Sequence, residues 1–125
     1  MKKTVSTADA PAAVGPYSQA VWAGDFLYCS GQLGLDPATG ALAGPDTASQ
    51  AERSLLNVKA ILESQGLDMS DVVKSLIFLT DMSDFKTVNE VYAKFFSSSP
   101  PARSCVAVKA LPLGGSVEIE AIAHR

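Results

Sequence analysis

Arg103 follows Pro100-Pro101-Ala102 and opens an apolar run, Cys105-Val106-Ala107-Val108. The two prolines stiffen the lead-in, and a charge at the mouth of an apolar strand is costly unless it is paired. A guanidinium held there presents a planar fork that matches a carboxylate. The residue alone leaves two readings open: a salt bridge to an ordinary surface acid, or a grip on a small carboxylate ligand. Farther along, Glu118 and Glu120 alternate with Val117, Ile119 and Ala121, so both carboxylates point from one face of a strand. Glu is depleted in strands, and two like charges at this spacing oppose each other mildly. Such a pair is either a plain solvent face or the wall of a cleft at which one carboxylate positions water, work that Glu does without metal or cofactor. Spacing does not choose between the two.

Other polar groups gather at turns. Gly15-Pro16-Tyr17-Ser18-Gln19 and Ser30-Gly31-Gln32 place hydroxyls, amides and flexible glycines at the two ends of one hairpin, where turn chemistry alone also explains them. Asn89 lies four residues after Phe85 on an otherwise apolar helix face, as a buried structural hydrogen bond or a ligand contact. Cys29 and Cys105 each sit inside an apolar run without CxxC spacing and read as free buried thiols rather than a disulfide or metal pair. His124 is the only histidine, which makes a Ser-His-Asp triad hard to build and a three-His metal site within one chain impossible. Nothing matches the GxGxxG, Walker A or HExxH patterns, so nucleotide-binding and zincin readings have no footing.

These residues need elements to hold them. Val21-Trp22, the turn signal Gly24-Asp25 and Phe26-Leu27-Tyr28-Cys29 predict a hairpin with a two-residue loop. Asp36-Pro37-Ala38-Thr39-Gly40 reads as a tight turn. Thr47-Ala48-Ser49-Gln50 reads as a capping box, and Ala51, Leu55, Val58 and Leu62 mark one face of a helix that runs to Gly66. Val72 to Leu79 is apolar on both parities apart from Lys74 and Ser75, as in a central strand covered on both faces. Ser83 is placed to cap a second helix with Phe85, Val88, Tyr92 and Phe95 on one face, ended by Ser97-Ser98-Ser99-Pro100-Pro101. Strands at Cys105–Val108 and Val117–Ile122 join across Leu111-Pro112-Leu113-Gly114-Gly115. The order strands, helix, strand, helix, strands predicts an α+β fold with the helices on one face of a sheet. The other face then meets solvent or a partner.

The chain has 125 residues, suited to one domain over 1–125. With 10 Lys+Arg against 13 Asp+Glu the net charge is −3, and no basic run marks a nucleic-acid or anionic membrane surface. Charged residues at 18% fall below the usual value of about 25%. That scarcity, with an uncovered sheet face, predicts a homotrimer whose sheets close on one another, a homodimer being the other closed arrangement. Thr4 to Ala13 contains no apolar core for a signal peptide, and no stretch approaches a membrane span, which gives a cytoplasmic reading.

Taken in order, Gly15-Pro16-Tyr17-Ser18-Gln19-Ala20-Val21, Ser30-Gly31-Gln32, Asp36-Pro37-Ala38-Thr39-Gly40, Asn89-Glu90-Val91-Tyr92, Pro101-Ala102-Arg103-Ser104 and Val117-Glu118-Ile119-Glu120 resemble the Rid (reactive intermediate deaminase, or YjgF) family from about Ala10 to Ala123. The resemblance implies a chorismate-mutase-like fold, one mixed sheet with two helices on one face. It also implies a homotrimer with active sites between subunits. In those sites 2-enamine or 2-imine acids such as 2-aminoacrylate and 2-iminopropanoate are hydrolysed to 2-keto acids and ammonia, without cofactor or metal. It points to Arg103 and Glu118 as catalytic residues and to Tyr17, Ser30, Gly31, Asn89 and Cys105 as pocket positions. Arg103 would hold the substrate carboxylate and Glu118 would handle the attacking water. Cys105, with nothing near it in sequence to lower its pKa, would shape the pocket rather than attack. The segment before Pro101, Ser97-Ser98-Ser99-Pro100, is shorter and less aromatic than in many members, which leaves substrate breadth open. A different class of function fits the same cleft: a non-enzymatic module, chaperone-like or sensing, that binds a small carboxylate and needs the Arg but no water-positioning acid. A third, directed at RNA, is opposed by the acidic charge.

Overall fold

Side chains alternate between the faces of a β-strand, so a strand with every second residue apolar needs one covering layer. Val117, Ile119, Ala121 and Ala123 fit that description and are at most 2% exposed in the computed structural model, which describes residues Met1–Arg125. The strands are β1 (Lys3–Val5), β2 (Ala20–Ala23), β3 (Phe26–Leu33), β4 (Val72–Leu79), β5 (Ala102–Ala107) and β6 (Val117–His124). They form a single six-stranded mixed sheet in the order β1-β2-β3-β6-β4-β5. Every neighbouring pair is antiparallel except β4 with β5, which is parallel. That parallel pair is joined through helix α2 (Phe85–Phe95), the crossover that parallel neighbours require. Helix α1 (Thr47–Ser64) lies across β3 and β6 and against α2, so both helices cover the same face. Ala51, Leu55, Val58 and Leu62 of α1 and Val88 of α2 are at most 1% exposed and meet the buried side of the sheet.

The expected α+β architecture is therefore present, with differences in detail. The hairpin closes around Gly24-Asp25, where Gly24 adopts a φ of +60°. β1 has no counterpart in the sequence expectations, β5 starts three residues before the expected run and ends one short of it, and β6 continues two residues past its own. The cap of α1 is Asp46 rather than Thr47: the Asp46 carboxylate accepts from the Ser49 N–H at 2.9 Å, while the Thr47 hydroxyl turns to Asp84 and Ser116. Ser83 caps nothing, because a 3-10 turn over Met82–Asp84 precedes α2 and Ser83 itself donates to Asp81. β4 is covered on one face only. Ser75, Ile77 and Leu79 are buried beneath the helices, whereas Lys74, Leu76 and Phe78 are half-buried on the open side. Phe26 and Tyr28 of β3 and Val106 of β5 share that open side and are 40%, 47% and 43% exposed.

Candidate active site

Strand register divides the candidate residues between the two faces. On β6, Glu118 pairs with Phe78 and Glu120 with Leu76, so both carboxylates lie on the open face. On β5, Arg103 pairs with Ser75 and Cys105 with Ile77, so both side chains lie on the helix face. Within one chain the sheet stands between Arg103 and Glu118.

The open-face half surrounds a cavity of about 620 Å³ whose lining includes Tyr17, Ser30, Gly31, Glu118 and Glu120. Its geometry begins with an irregularity in the β3–β6 pairing between Cys29 and Gln32. Gly31 sits in that irregularity and leaves the space that the Glu118 side chain occupies: a Cβ there would lie 2.6 Å from Glu118 Oε2 and 2.8 Å from Cδ. The Glu118 carboxylate consequently lies close against Gly31. Burial, reinforced by the neighbouring Glu120, pushes the Glu118 carboxyl above the ordinary carboxylate range. A carboxyl so perturbed takes and returns protons closer to neutral pH than a solvated one.

The walls of this cavity are held by polar side chains. Ser30 donates through Oγ to the Ser18 carbonyl at 2.6 Å and through its N–H to the Gln19 carbonyl at 2.9 Å, stitching β3 to the 15–19 segment that carries Tyr17. Gln19 is 3% exposed; its Oε1 accepts from Thr7 N–H at 2.6 Å, and its Nε2 donates to the carbonyls of Thr7, Ala10 and Pro11 at 3.0, 3.3 and 2.8 Å. One amide thus fastens the segment that supplies Pro11 and Val14 to the cavity. On the opposite rim Leu113 has a φ of +59°, a left-handed conformation uncommon for its type, and is 66% exposed. The backbone of Gln32, Leu33 and Leu35, which line the cavity, is anchored from behind by α1. Ser54 donates to the Gln32 carbonyl at 2.6 Å, and Asn57 donates to those of Leu33 and Leu35 at 3.2 and 2.9 Å. Gly34 permits this approach, since a Cβ there would lie 2.3 Å from the Gln50 carbonyl oxygen.

The helix-face half is built around Arg103. Its Nη1 donates to Asn89 Oδ1 at 2.8 Å, and its Cζ lies 4.9 Å from the Tyr92 ring centroid and 5.7 Å from that of Phe85. No acid pairs with it; the one ion pair in the chain joins Arg125 to Asp25 at 3.3 Å. The surface salt bridge left open by the sequence is therefore absent. An Arg held by an amide and aromatic faces keeps donors of its fork for a planar anion. Cys105 is half-buried on the same face; burial raises its thiol pKa against the pull of Arg103, which suits packing rather than attack. Burial pushes the Cys29 thiol up to about 12, which makes it inert at neutral pH.

The structure thus gathers Tyr17, Ser30, Gly31 and Glu118 in one place and Arg103, Asn89 and Cys105 in another. Sequence reasoning missed Gln19 as the fastener of a wall, and it treated Tyr92 and Phe85 only as core. The spacing of Phe85, Asn89 and Tyr92 along one helix face was the available signal.

A family model described as endoribonuclease L-PSP matches residues 7–125. The bovine 2-iminobutanoate/2-iminopropanoate deaminase is 53% identical over 98% of this chain and 90% of its own length, and the human protein of the same name is 46% identical over the same shares. Among solved structures, RidA from an Antarctic Psychrobacter superposes with a TM-score of 0.95 at 50% identity, covering 98% of this chain and 99% of that one. TdcF of Escherichia coli, with bound serine, does so with a TM-score of 0.94 at 46% identity and 98% coverage of each. A match that begins at residue 7 and runs to the last residue, together with identities near one half across nearly whole chains, makes this chain a member of the endoribonuclease L-PSP family, the Rid family that its motifs resemble.

Proposed function

We propose that this chain, acting as one domain in a cytoplasmic homotrimer, is a hydrolytic deaminase that converts 2-imino and 2-enamino acids to 2-keto acids and ammonia. The relatives bearing the name 2-iminobutanoate/2-iminopropanoate deaminase support the reaction class. The observation that carries the site is the division of its chemistry: a guanidinium without an acid on one face of the sheet, and a glutamate of raised pKa beside a cavity on the other. β5 is an edge strand, so a neighbouring copy that covers Phe26, Tyr28 and Val106 and reaches around that edge would carry its Glu118 cavity to the Arg103 half.

The chemistry needs little else. An imine carbon is already electrophilic, so the site has only to hold the acid, deliver water and move protons. Arg103, steadied by Asn89, grips the substrate carboxylate, and Tyr17, Ser30 and Gly31 close the pocket around it, with Cys105 shaping its other side. An enamine is first protonated at carbon to give the protonated imine; Glu118 then takes a proton from the water as its oxygen bonds to the C=N carbon and the π electrons pass to nitrogen, giving a tetrahedral amino alcohol. Glu118 returns that proton to the nitrogen, the hydroxyl gives up its own proton to the carboxylate as C=O forms and the C–N bond breaks, and the keto acid and ammonia leave. No cofactor takes part. Despite the family description, a net charge of −3 and two carboxylates on the cavity oppose a polyanion such as RNA.

The test is release of ammonia and keto acid from freshly generated 2-aminoacrylate. Glu118→Gln should lose about 10²- to 10⁴-fold in rate while still binding a non-reactive keto acid. Mixing inactive Arg103→Lys with inactive Glu118→Gln should restore about a quarter of wild-type activity, because each composite site draws its two halves independently. Full turnover by Glu118→Gln would remove Glu118 from the chemistry, wild-type protein that binds the keto acid without turnover would favour the carboxylate-binding module, and failure of the mixture after unfolding and refolding the two variants together would refute a site shared between subunits.

A further inference from the structure

Arg103 is held by shape and dipoles rather than by charge, and the group beneath it is itself fastened. Tyr92 is 6% exposed, and its hydroxyl meets Ser75 Oγ at 2.5 Å. Ser75 is 1% exposed and is the β4 residue paired directly with Arg103 on β5. Phe96 packs on the Tyr92 ring with centroids 4.5 Å apart. These contacts close a circuit. β4 meets β5 through strand pairing, β5 meets α2 through Arg103 over Tyr92 and through Asn89, and α2 returns to β4 through the two hydroxyls. A phenylalanine and an alanine would fill the same space with no polar group to satisfy, so a buried hydroxyl pair at this point calls for a reason beyond packing.

We propose that Tyr92, locked by Ser75, is a positioning residue that sets the plane of the Arg103 guanidinium, so that a ligand carboxylate meets the remaining N–H donors of the fork edge-on. A cation over a ring face is attracted by the ring quadrupole, and a planar guanidinium lying over a ring directs its N–H groups outward, toward the ligand. The hydroxyl tie keeps the ring from sliding and taking the fork with it. This inference rests on the reading that Arg103 binds a carboxylate.

The experiment uses full-length protein, with pyruvate and its amide as probes that differ only in the carboxylate. Tyr92→Phe and Ser75→Ala should each weaken pyruvate binding about 3-fold, and together no more than either alone, because both remove one bond. Tyr92→Leu should weaken it about 10-fold. Pyruvamide binding should stay unchanged in all three, and none should add to the loss in an Arg103→Lys background. The Arg103 Nε–H resonance of ligand-free protein, assigned by its disappearance in Arg103→Lys, should move in Ser75→Ala, which keeps the Tyr92 ring and removes only its tie, and an unmoved resonance there would mean that the tie does not set the guanidinium. Equal losses for pyruvate and pyruvamide, or an undiminished effect in the Arg103→Lys background, would mean general distortion and overturn the proposal. If wild-type protein binds the acid and the amide equally, the carboxylate reading of Arg103 fails, and the resonance still decides whether Tyr92 positions the group. Should Tyr92→Leu not fold, Tyr92→Phe and Ser75→Ala carry the same comparison.

Discussion

Replacing Gly31 by alanine separates what Glu118 does from what the fold needs. Gly31 is not among the residues with positive φ, so a methyl group adds no backbone strain there. The conflict is with one side chain: the new Cβ would lie 2.6 Å from Glu118 Oε2, 2.8 Å from Cδ and 3.1 Å from Cγ. To reach ordinary contact at 3.4 Å, the oxygen must retreat by about 0.8 Å. The end of a flexible chain does this by turning off its rotamer, at about 1 kcal/mol, or a fall in Tm of roughly 4 °C for a domain of this size. Catalysis is more sensitive, because a displacement near 1 Å at a positioned group costs about 10²-fold in rate. The expected result is a folded protein with kcat/KM for keto-acid release from 2-aminoacrylate reduced by about two orders of magnitude. Thermal unfolding and turnover measured on the same preparation check both halves. Near wild-type turnover in the folded variant would show that the carboxylate does not work from its place against Gly31, and the role given to Glu118 would fall with it.

Gly34→Ala makes the contrasting case, since its Cβ would meet helix backbone at 2.3 Å rather than a movable side chain; it should destabilise by about 3 kcal/mol, read by chemical denaturation. The raised pKa of Glu118 favours its protonated form in the native state, so its contribution to stability is full below the unfolded value of 4.5 and is lost as pH rises through the folded one. Glu118→Gln should therefore raise Tm at about pH 7 and leave it unchanged below about pH 4. By the same sign, the acid limb of the kcat/KM profile should lie above the ordinary glutamate range and move down in Glu120→Gln, which removes a like charge. Sedimentation equilibrium at micromolar protein should give about three times the 13.0 kDa chain mass, and the monomer mass would end the composite-site reading.

What was legible in the sequence was local. Gly24-Asp25 and the face of Ala51, Leu55, Val58 and Leu62 announce a hairpin and a helix because turn chemistry and periodicity act within a few residues. The helix cap was misplaced by one residue, since Asp46 and Thr47 are both good caps and the choice is made by a distant contact: Asp84 and Ser116 engage the Thr47 hydroxyl. Parity revealed that Glu118 shares a face with Glu120, and Arg103 with Cys105. It could not reveal that the two pairs face opposite ways, because that depends on strand order and direction, and β6 enters the sheet between β3 and β4. The likeness of motifs pointed to residues that one chain holds on opposite faces of its sheet.

The fastening of the 7–11 segment by Gln19 has a consequence for motion. One amide supplies every bond described between that segment and the 15–19 turn, whereas β3, β6 and β4 are secured by ladders on both sides. The wall carrying Pro11 and Val14 is therefore tied through one buried side chain and the packing of Ala10, and it can part from the 15–19 turn without breaking a strand pairing. Amide exchange at Thr7 should then run ahead of exchange in the central strands, and the rate at which that wall opens sets an upper limit on how fast any molecule passes over it into the cavity.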